Sequence, residues 1–299
     1  MNAAYHIPVL LNETIDMLSI QPNGIYVDCT FGGGGHSSAI LKHLSTDGKL
    51  FAFDQDADAF QNFPNDERMV FISENFRHLQ RFLKLHGVHQ VNGILADLGV
   101  SSHQFNEASR GFSIRFDGPL DMRMDSRSEL TAEKVLATYS ELQLHLLFEK
   151  YGEVTNAKTL AKHIVQYRQH TSVGTTAQCK AALSEIVKGN PNKYFAQLFQ
   201  ALRIEVNDEL GALNDLLIQL PNVLKKGGRA AIITFHSLED RLVKNYFKGT
   251  IGEDENPFVS TPKKQDFKLI TKKPIVPSDT ELRTNSRSRS AKLRVAEKL

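Results

Sequence analysis

The residues best suited to chemistry close apolar segments. DCTFGGGGH (28–36) ends the segment that begins at Gly24, and four consecutive glycines let the backbone come close to a ligand there. Asp54 belongs to the end of the next apolar segment, KLFAFDQD (49–56), about twenty residues further on. A carboxylate at that spacing can accept both hydroxyls of a ribose. The ligand is not a dinucleotide. Aligning GxGxxG on Gly32 and Gly34 puts Ser37 at the third glycine, and aligning it on Gly33 and Gly35 puts Ser38 there. No GxxxxGK[ST] phosphate loop occurs. A nucleoside without phosphates fits better, and S-adenosylmethionine is the expected cofactor of that kind.

Three further groups offer chemistry. DLGVSS (97–102) supplies an acid and two hydroxyls, which either line a reaction cleft or cap a helix. Residues 105–125 interleave Phe105, Phe112, Phe116 and Met122 with Arg110, Arg115 and Arg123. Arginines on phosphates and rings against bases are how single-stranded RNA is held. The same residues equally suit a packed lid with internal ion pairs. His236, in FHSLEDR (235–241), follows a late strand signal and can face the cleft, although a lone histidine is more often structural. Ser237 and Asp240 form an ordinary helix start.

The elements that must position these groups alternate in the first hundred residues. GIYVDCT (24–30), KLFAFDQD (49–56), RMVFIS (68–73) and NGILADLG (92–99) read as strands separated by helical segments, which predicts an α/β fold with a parallel sheet wound with helices. Residues 100–127 show neither period, and a loop of that length points to function. From 128 to 205 the signals are helical, with capping boxes at 140–143 and 175–178 and glycine stops at Gly152 and Gly189. Ala157, Leu160, Ala161, Ile164 and Val165 form an amphipathic stripe. After Pro191 one long helical stretch carries Phe195, Leu198, Leu202, Val206, Leu213, Leu216 and Leu220 on one side. Strand signals return at GRAAIITF (228–235), with weaker ones near 267–276 and 292–296. The expected organisation is a discontinuous core, 1–107 and 206–299, interrupted by a helical insertion at 108–205. The strand at 229–235 should then lie beside the strand at 92–97.

Composition sets the outer limits. With 299 residues, 41% hydrophobic and 23% charged, the chain is neither collagen-like, nor a coiled coil, nor wholly disordered. A formal charge of +2 excludes a uniformly basic surface. Residues 261–299, however, hold 11 Lys+Arg against 4 Asp+Glu, a net of +7 on a body of −5. Such a tail suggests an anionic partner, with Arg287, Arg289, Lys292 and Arg294 as phosphate contacts. Alternatively, Leu293 and Val295 alternate with the basic residues as in a half-buried strand. Cys29 and Cys179 make neither a disulfide framework nor a metal cluster, which fits a reducing compartment. No signal peptide or membrane span is evident, so a cytoplasmic protein with no membrane partner is expected.

Almost end to end, the chain resembles the bacterial MraW family of small-subunit ribosomal RNA methyltransferases (RsmH). The motifs are HIPVLLNE (6–13), DCTFGGGGHS (28–37), FDQD (53–56), DLGVSS (97–102), RGFSIRFDGPLDMRMD (110–125), FQALRIEVNDEL (199–210), FHSLEDRLVK (235–244) and RSRSAKLRVAE (287–297). The resemblance implies S-adenosylmethionine-dependent N4-methylation of a decoding-site cytosine of 16S rRNA in the small ribosomal subunit. It also implies a Rossmann-like seven-stranded methyltransferase sheet with an inserted helical, RNA-recognising domain. Carried over by residue, the cofactor positions are Gly34, Gly35, His36, Asp54, Phe76, Asp97 and Gln104. The glycines, Asp54 and Asp97 stand out without the resemblance; Phe76, where adenine would stack, and Gln104 come from it alone. Asp121 and His236 are the candidates for taking a hydrogen from N4, with Asp97 close by. NPNKYFAQL (190–198) departs from a HPATRT-like run usual in the family, and Ser286 stands where Pro is common. Both departures bear on the rRNA contacts. Whether the chain forms a homodimer is left open. Two other classes compete: a methyltransferase for a small molecule or protein, disfavoured by the basic tail and the Arg/aromatic loop, and a non-catalytic RNA-binding module, disfavoured by the intact glycine loop and Asp54.

Overall fold

The computed structural model describes residues 8–250 and 266–299; His6 and Ile7 of the first motif lie outside them. The apolar runs form a seven-stranded mixed sheet: β1 (Ile25–Asp28), β2 (Lys49–Phe53), β3 (Met69–Ile72), β4 (Val91–Asp97), β5 (Leu224–Thr234), β6 (Phe267–Leu269) and β7 (Lys292–Lys298). Its order is β3-β2-β1-β4-β5-β7-β6. β3, β2, β1, β4 and β5 run parallel, β7 pairs antiparallel with β5, and β6 pairs antiparallel with β7. Val27, in β1, pairs with Phe51 on one side and Ile94 on the other. These runs are apolar throughout because a parallel sheet is covered on both faces. The chain winds outward from β1 first to β2 and β3, then back to β4. Ligands bind outside the carboxyl ends of the strands at such a reversal, and those ends carry the glycine run, Asp54 and Asp97.

β5 pairs with β4 as expected, with Ile94 opposite Ala230 and Asp97 opposite Ile233. The basic tail resolves in favour of the buried strand: β7 lies between β5 and β6, and Arg294 pairs in register with Ile232.

The chain divides into two compact units, one of residues 1–99 and 211–299 and the other Val100–Leu210. The first holds the sheet, with α1 (Leu11–Leu18), α2 (Gly35–His43) and α3 (Leu79–Leu85). The second is helical: α4 (Ser102–Asn106), α5 (Ala132–Thr138), α6 (Glu141–Lys150), α7 (Ala157–Tyr167), α8 (Thr176–Leu183) and α9 (Pro191–Asn207). It has its own apolar core, in which Leu144, Leu160, Leu198 and Leu202 are fully buried. The capping boxes at Ser140–Gln143 and Thr175–Gln178 form as read. α10 (Glu209–Val223), α11 (Ser237–Lys248) and α12 (Asp279–Thr284) complete the helices. No helix among the described residues is long and apolar enough to cross a membrane.

The structure corrects the sequence reading at one place and, at another, shows the packed alternative that it left open. The stretch after Pro191 is two helices, because Asp208 adopts a left-handed conformation (φ 45°) that ends α9. Phe195 to Val206 thus belong to the helical core, and Leu213, Leu216 and Leu220 to the core under the sheet. The loop of 100–127 is also largely packed. Phe112, Leu120, Met122 and Met124 are buried in the helical core, and Arg110 donates to the carbonyls of Arg123 and Met124. Of the Arg/aromatic series, Arg115 and Phe116 are the exposed members.

Candidate functional site

The end of β1 is held by a buried carboxylate. Asp28 accepts hydrogen bonds from the Thr30 amide (3.0 Å) and the Ser37 hydroxyl (2.7 Å). Thr30 Oγ1 in turn accepts from the Asp97 amide at 2.7 Å. One side chain thus ties the end of β1 to the first turn of α2 and, through Thr30, to the end of β4. Between them runs the glycine loop. Gly34 sits at φ 73°, a conformation that favours glycine, and caps α2. Gly35 is required for another reason: a Cβ there would lie 2.2 Å from Pro8 Cγ. The sequence suggests that these glycines serve ligand approach; Gly35 is explained already by the chain packed against it.

Asp54 stands at the end of β2 and organises that loop. Its Oδ2 accepts from the Gly32 amide at 2.7 Å and its Oδ1 from the Asp56 amide at 2.9 Å. A carboxylate has about four lone-pair sites, so each oxygen keeps one for a further donor. Burial pushes this carboxyl from 3.8 up to about 6, against the pull of the two amides and with the help of the Asp56 and Asp28 charges. Phe76, half-buried in a short turn after β3, packs against the core of the sheet. The preceding Asn75 accepts from the Arg77 amide (2.9 Å) and donates to Gln55 Oε1 (2.8 Å), so Phe76 is anchored next to the segment that carries Asp54.

His36 and Asp97 face each other across the loop. His36 is buried, with Nε2 3.0 Å from the Val9 carbonyl, which only accepts and so fixes a proton on that nitrogen. Burial lowers the His36 pKa, opposed by Asp28 and the Val9 carbonyl, and the ring is neutral. Its Nδ1 lies 3.6 Å from Asp97 Oδ2. Asp97 Oδ1 is buried with no hydrogen-bond partner. Burial, and then the charges of Asp28, Glu239 and Glu281, push the Asp97 carboxyl well above its ordinary value. An acceptor left bare in such a place is costly, and a cationic donor would relieve it.

The remaining candidates are built differently. Ser101, which the sequence leaves between cleft and cap, caps α4, and Gln104 returns the bond by accepting from the Ser101 amide at 3.0 Å. Asp121 receives the Arg123 guanidinium on both oxygens at 2.8 Å. Burial alone would raise Asp121, but the Arg123 hydrogen bonds outweigh it and hold the carboxyl below the usual range. His236 is the N-cap of α11, three residues beyond Ile233, whose carbonyl binds the Leu98 amide beside Asp97 (3.0 Å). Its Nε2 is 3.1 Å from Glu239 Oε1 without the alignment of a hydrogen bond.

The sheet unit therefore assembles Gly34, Gly35, His36, Asp54, Phe76, Asp97 and His236, while Gln104 and Asp121 belong to the helical unit. Sequence reasoning passes over Asp28 as a brace and over the Gln55–Asn75 link. An acid two residues before a threonine is the one available signal, an Asx-turn; side-chain pairing between strand ends leaves none.

The sequence pattern of the MraW methylase family matches residues 3–299. The chain is 51% identical to "Ribosomal RNA small subunit methyltransferase H" of Christiangramia forsetii, over 99% of this chain and 98% of that one. It is 52% identical to the protein of the same name from Flavobacterium johnsoniae, with the same coverage. Among solved structures, an rRNA methylase from Streptococcus thermophilus is similar with a TM-score of 0.41 and 14% identity, over 98% of this chain and 99% of that one.

Proposed function

The chain belongs to the MraW methylase family, and from that premise we propose that it transfers a methyl group from S-adenosylmethionine to N4 of a decoding-site cytosine of 16S rRNA. Its relatives are named for the small-subunit rRNA on which they act, and the substrate is taken to be that RNA within the cytoplasmic small subunit. The observation that carries the cofactor reading is the donor deficit at the carboxyl edge of the sheet. Asp54 keeps two acceptor sites for the two ribose hydroxyls, and Asp97 keeps a bare, buried oxygen for a cationic group. Phe76 beside them offers a face for adenine, and the loop at Gly34 and Gly35 closes over the chain end of the cofactor.

When bound, the cofactor supplies an electrophilic methyl on a sulfonium centre. The protein must do the rest by placement. The N4 lone pair is delocalised into the cytosine ring, so N4 reacts only if held in line with the methyl, and positioning accounts for much of the rate. The base must first leave its stack to reach a strand-end cleft. Were N4 to take the methyl, the methyl–sulfur bond would break to leave a neutral thioether, and N4 would have a proton to shed. His236 and Asp121 are the candidates to receive it, His236 from the end of β5 and Asp121 only if Arg123 releases one oxygen.

The test is transfer of label from methyl-labelled S-adenosylmethionine to small ribosomal subunits that lack the modification. Label in the 16S rRNA, lost in Asp54→Ala, is expected. Label in ribosomal protein or in small molecules alone would overturn the reading.

A further inference from the structure

Of the tail residues Arg287, Arg289, Lys292 and Arg294, the last two are engaged within the sheet unit, while Arg289 is exposed. Arg294 is buried and donates to Asp240 at 2.6 and 3.2 Å, and Lys292 approaches the same carboxylate at 3.4 Å. The excess positive charge of the sheet unit surfaces elsewhere. A shallow hollow between α11 and the end of β6 is lined by Lys244, Lys248, Lys272 and Arg294 over Phe247 and Leu269. α11 packs on both β6 and β7 there. Lys244 and Lys248 are four residues apart and share one helix face; Lys272 comes to them from across the hollow. Lys248 and Lys272 are exposed, Lys244 half-exposed, and among the described residues no carboxylate pairs with any of the three. Asp240, which pairs with Arg294, is occupied by Arg294 and Lys292.

We infer that this face of α11 and β6 is a docking surface for the phosphodiester backbone of the RNA substrate. The inference rests on the RNA reading above and names the surface that serves it. Three observations favour RNA backbone over other anions. The charges line both sides of an open, shallow hollow rather than a closed cradle, which suits the backbone of a long polyanion better than a small enclosed anion. Among the described residues no exposed ring accompanies them, because Tyr246 packs against Phe247 and Phe267, so these lysines offer charge and not stacking. Finally, α11 starts at His236, beside the candidate reaction edge, and its rise of about 1.5 Å per residue puts Lys244 and Lys248 about 12 and 18 Å further along. RNA flanking a base held at that edge passes within reach of both.

The test compares Lys244→Gln/Lys248→Gln/Lys272→Gln with a control of equal charge change, Lys42→Gln/Lys49→Gln/Lys84→Gln, at exposed lysines of the same unit. Binding to purified small ribosomal subunits is measured at several salt concentrations, and S-adenosylmethionine binding by calorimetry. The patch variant should bind subunits about tenfold or more weakly near 0.1 M salt, with a log–log salt slope shallower by about 2, at unchanged cofactor affinity. Lys→Arg at the same three positions should restore both. A patch variant that matches the wild type or the control overturns the docking surface alone. A wild-type protein that binds cofactor but shows no salt-dependent affinity for the subunit overturns the RNA reading itself, and the surface with it.

Discussion

Asp54 is asked to do two things at once. Its oxygens hold the Gly32 and Asp56 amides, and their remaining lone pairs are assigned to the ribose. Only the ionised form can accept all four bonds. A carboxyl with a folded value of about 6 instead of 3.8 takes up a proton on folding, so ionising it weakens the free protein as pH rises from about 4 to 6. Cofactor reverses the preference by rewarding the carboxylate. Affinity for S-adenosylmethionine should therefore be flat above about pH 7 and fall toward tenfold per unit below about 6. Calorimetry from pH 5 to 8 checks this, and affinity that is independent of pH across that range would remove Asp54 from the ribose. Asp54→Ala should weaken binding about ten- to a hundredfold. It should also loosen the loop, because two backbone amides lose their acceptor.

The elements carry a second kind of dependence, in which a residue matters for what packs against it. Gly35→Ala places a Cβ against Pro8 and should cost about 1–3 kcal/mol of stability. Thermal unfolding followed with cofactor titration separates the explanations: a stable variant that binds cofactor poorly would show that the glycine serves ligand approach after all. Arg294→Ala strands Asp240 beside a partly exposed Lys292 and should cost about 3 kcal/mol. Arg289→Ala, at an exposed position, should change stability by less than about 0.5 kcal/mol. Equal losses in the two would contradict the buried-strand assignment of the tail.

Much at this scale was legible in the sequence. Continuous apolar runs gave the parallel strands, and the return of such a run at 228–235 predicted the β4–β5 pairing across more than a hundred residues. What periodicity reports is which face is apolar, not which neighbour covers it. One stripe from Phe195 to Leu220 therefore looked like one helix although it serves two cores, and Asp208, with no glycine to betray it, breaks it. The Arg/aromatic loop suits an RNA reader and a packed lid equally in the sequence, because composition does not say that Arg123 faces Asp121 or that Phe112 is buried. Of the candidate site, the glycines, Asp54 and Asp97 are proposed from strand ends alone. Phe76 and Gln104 required a family resemblance, and the bracing by Asp28 required coordinates.

At the scale of the molecule, two units divide the labour. The sheet unit carries Asp54, the bare Asp97 oxygen and the lysines of α11 and of the segment after β6; the helical unit carries Gln104, Asp121 and the exposed Arg115–Phe116 pair. The central claim is that their product is a methyl group on one exocyclic nitrogen of the small-subunit RNA. The most direct measurement is the identity of the modified nucleoside. Subunits lacking the modification are incubated with the protein and S-adenosylmethionine, and the 16S rRNA is digested and analysed by mass spectrometry. The account predicts N4-methylcytidine, at about one per subunit, from a single decoding-site position. Methyl on a ring carbon of cytosine, on a ribose oxygen or on another base would contradict it.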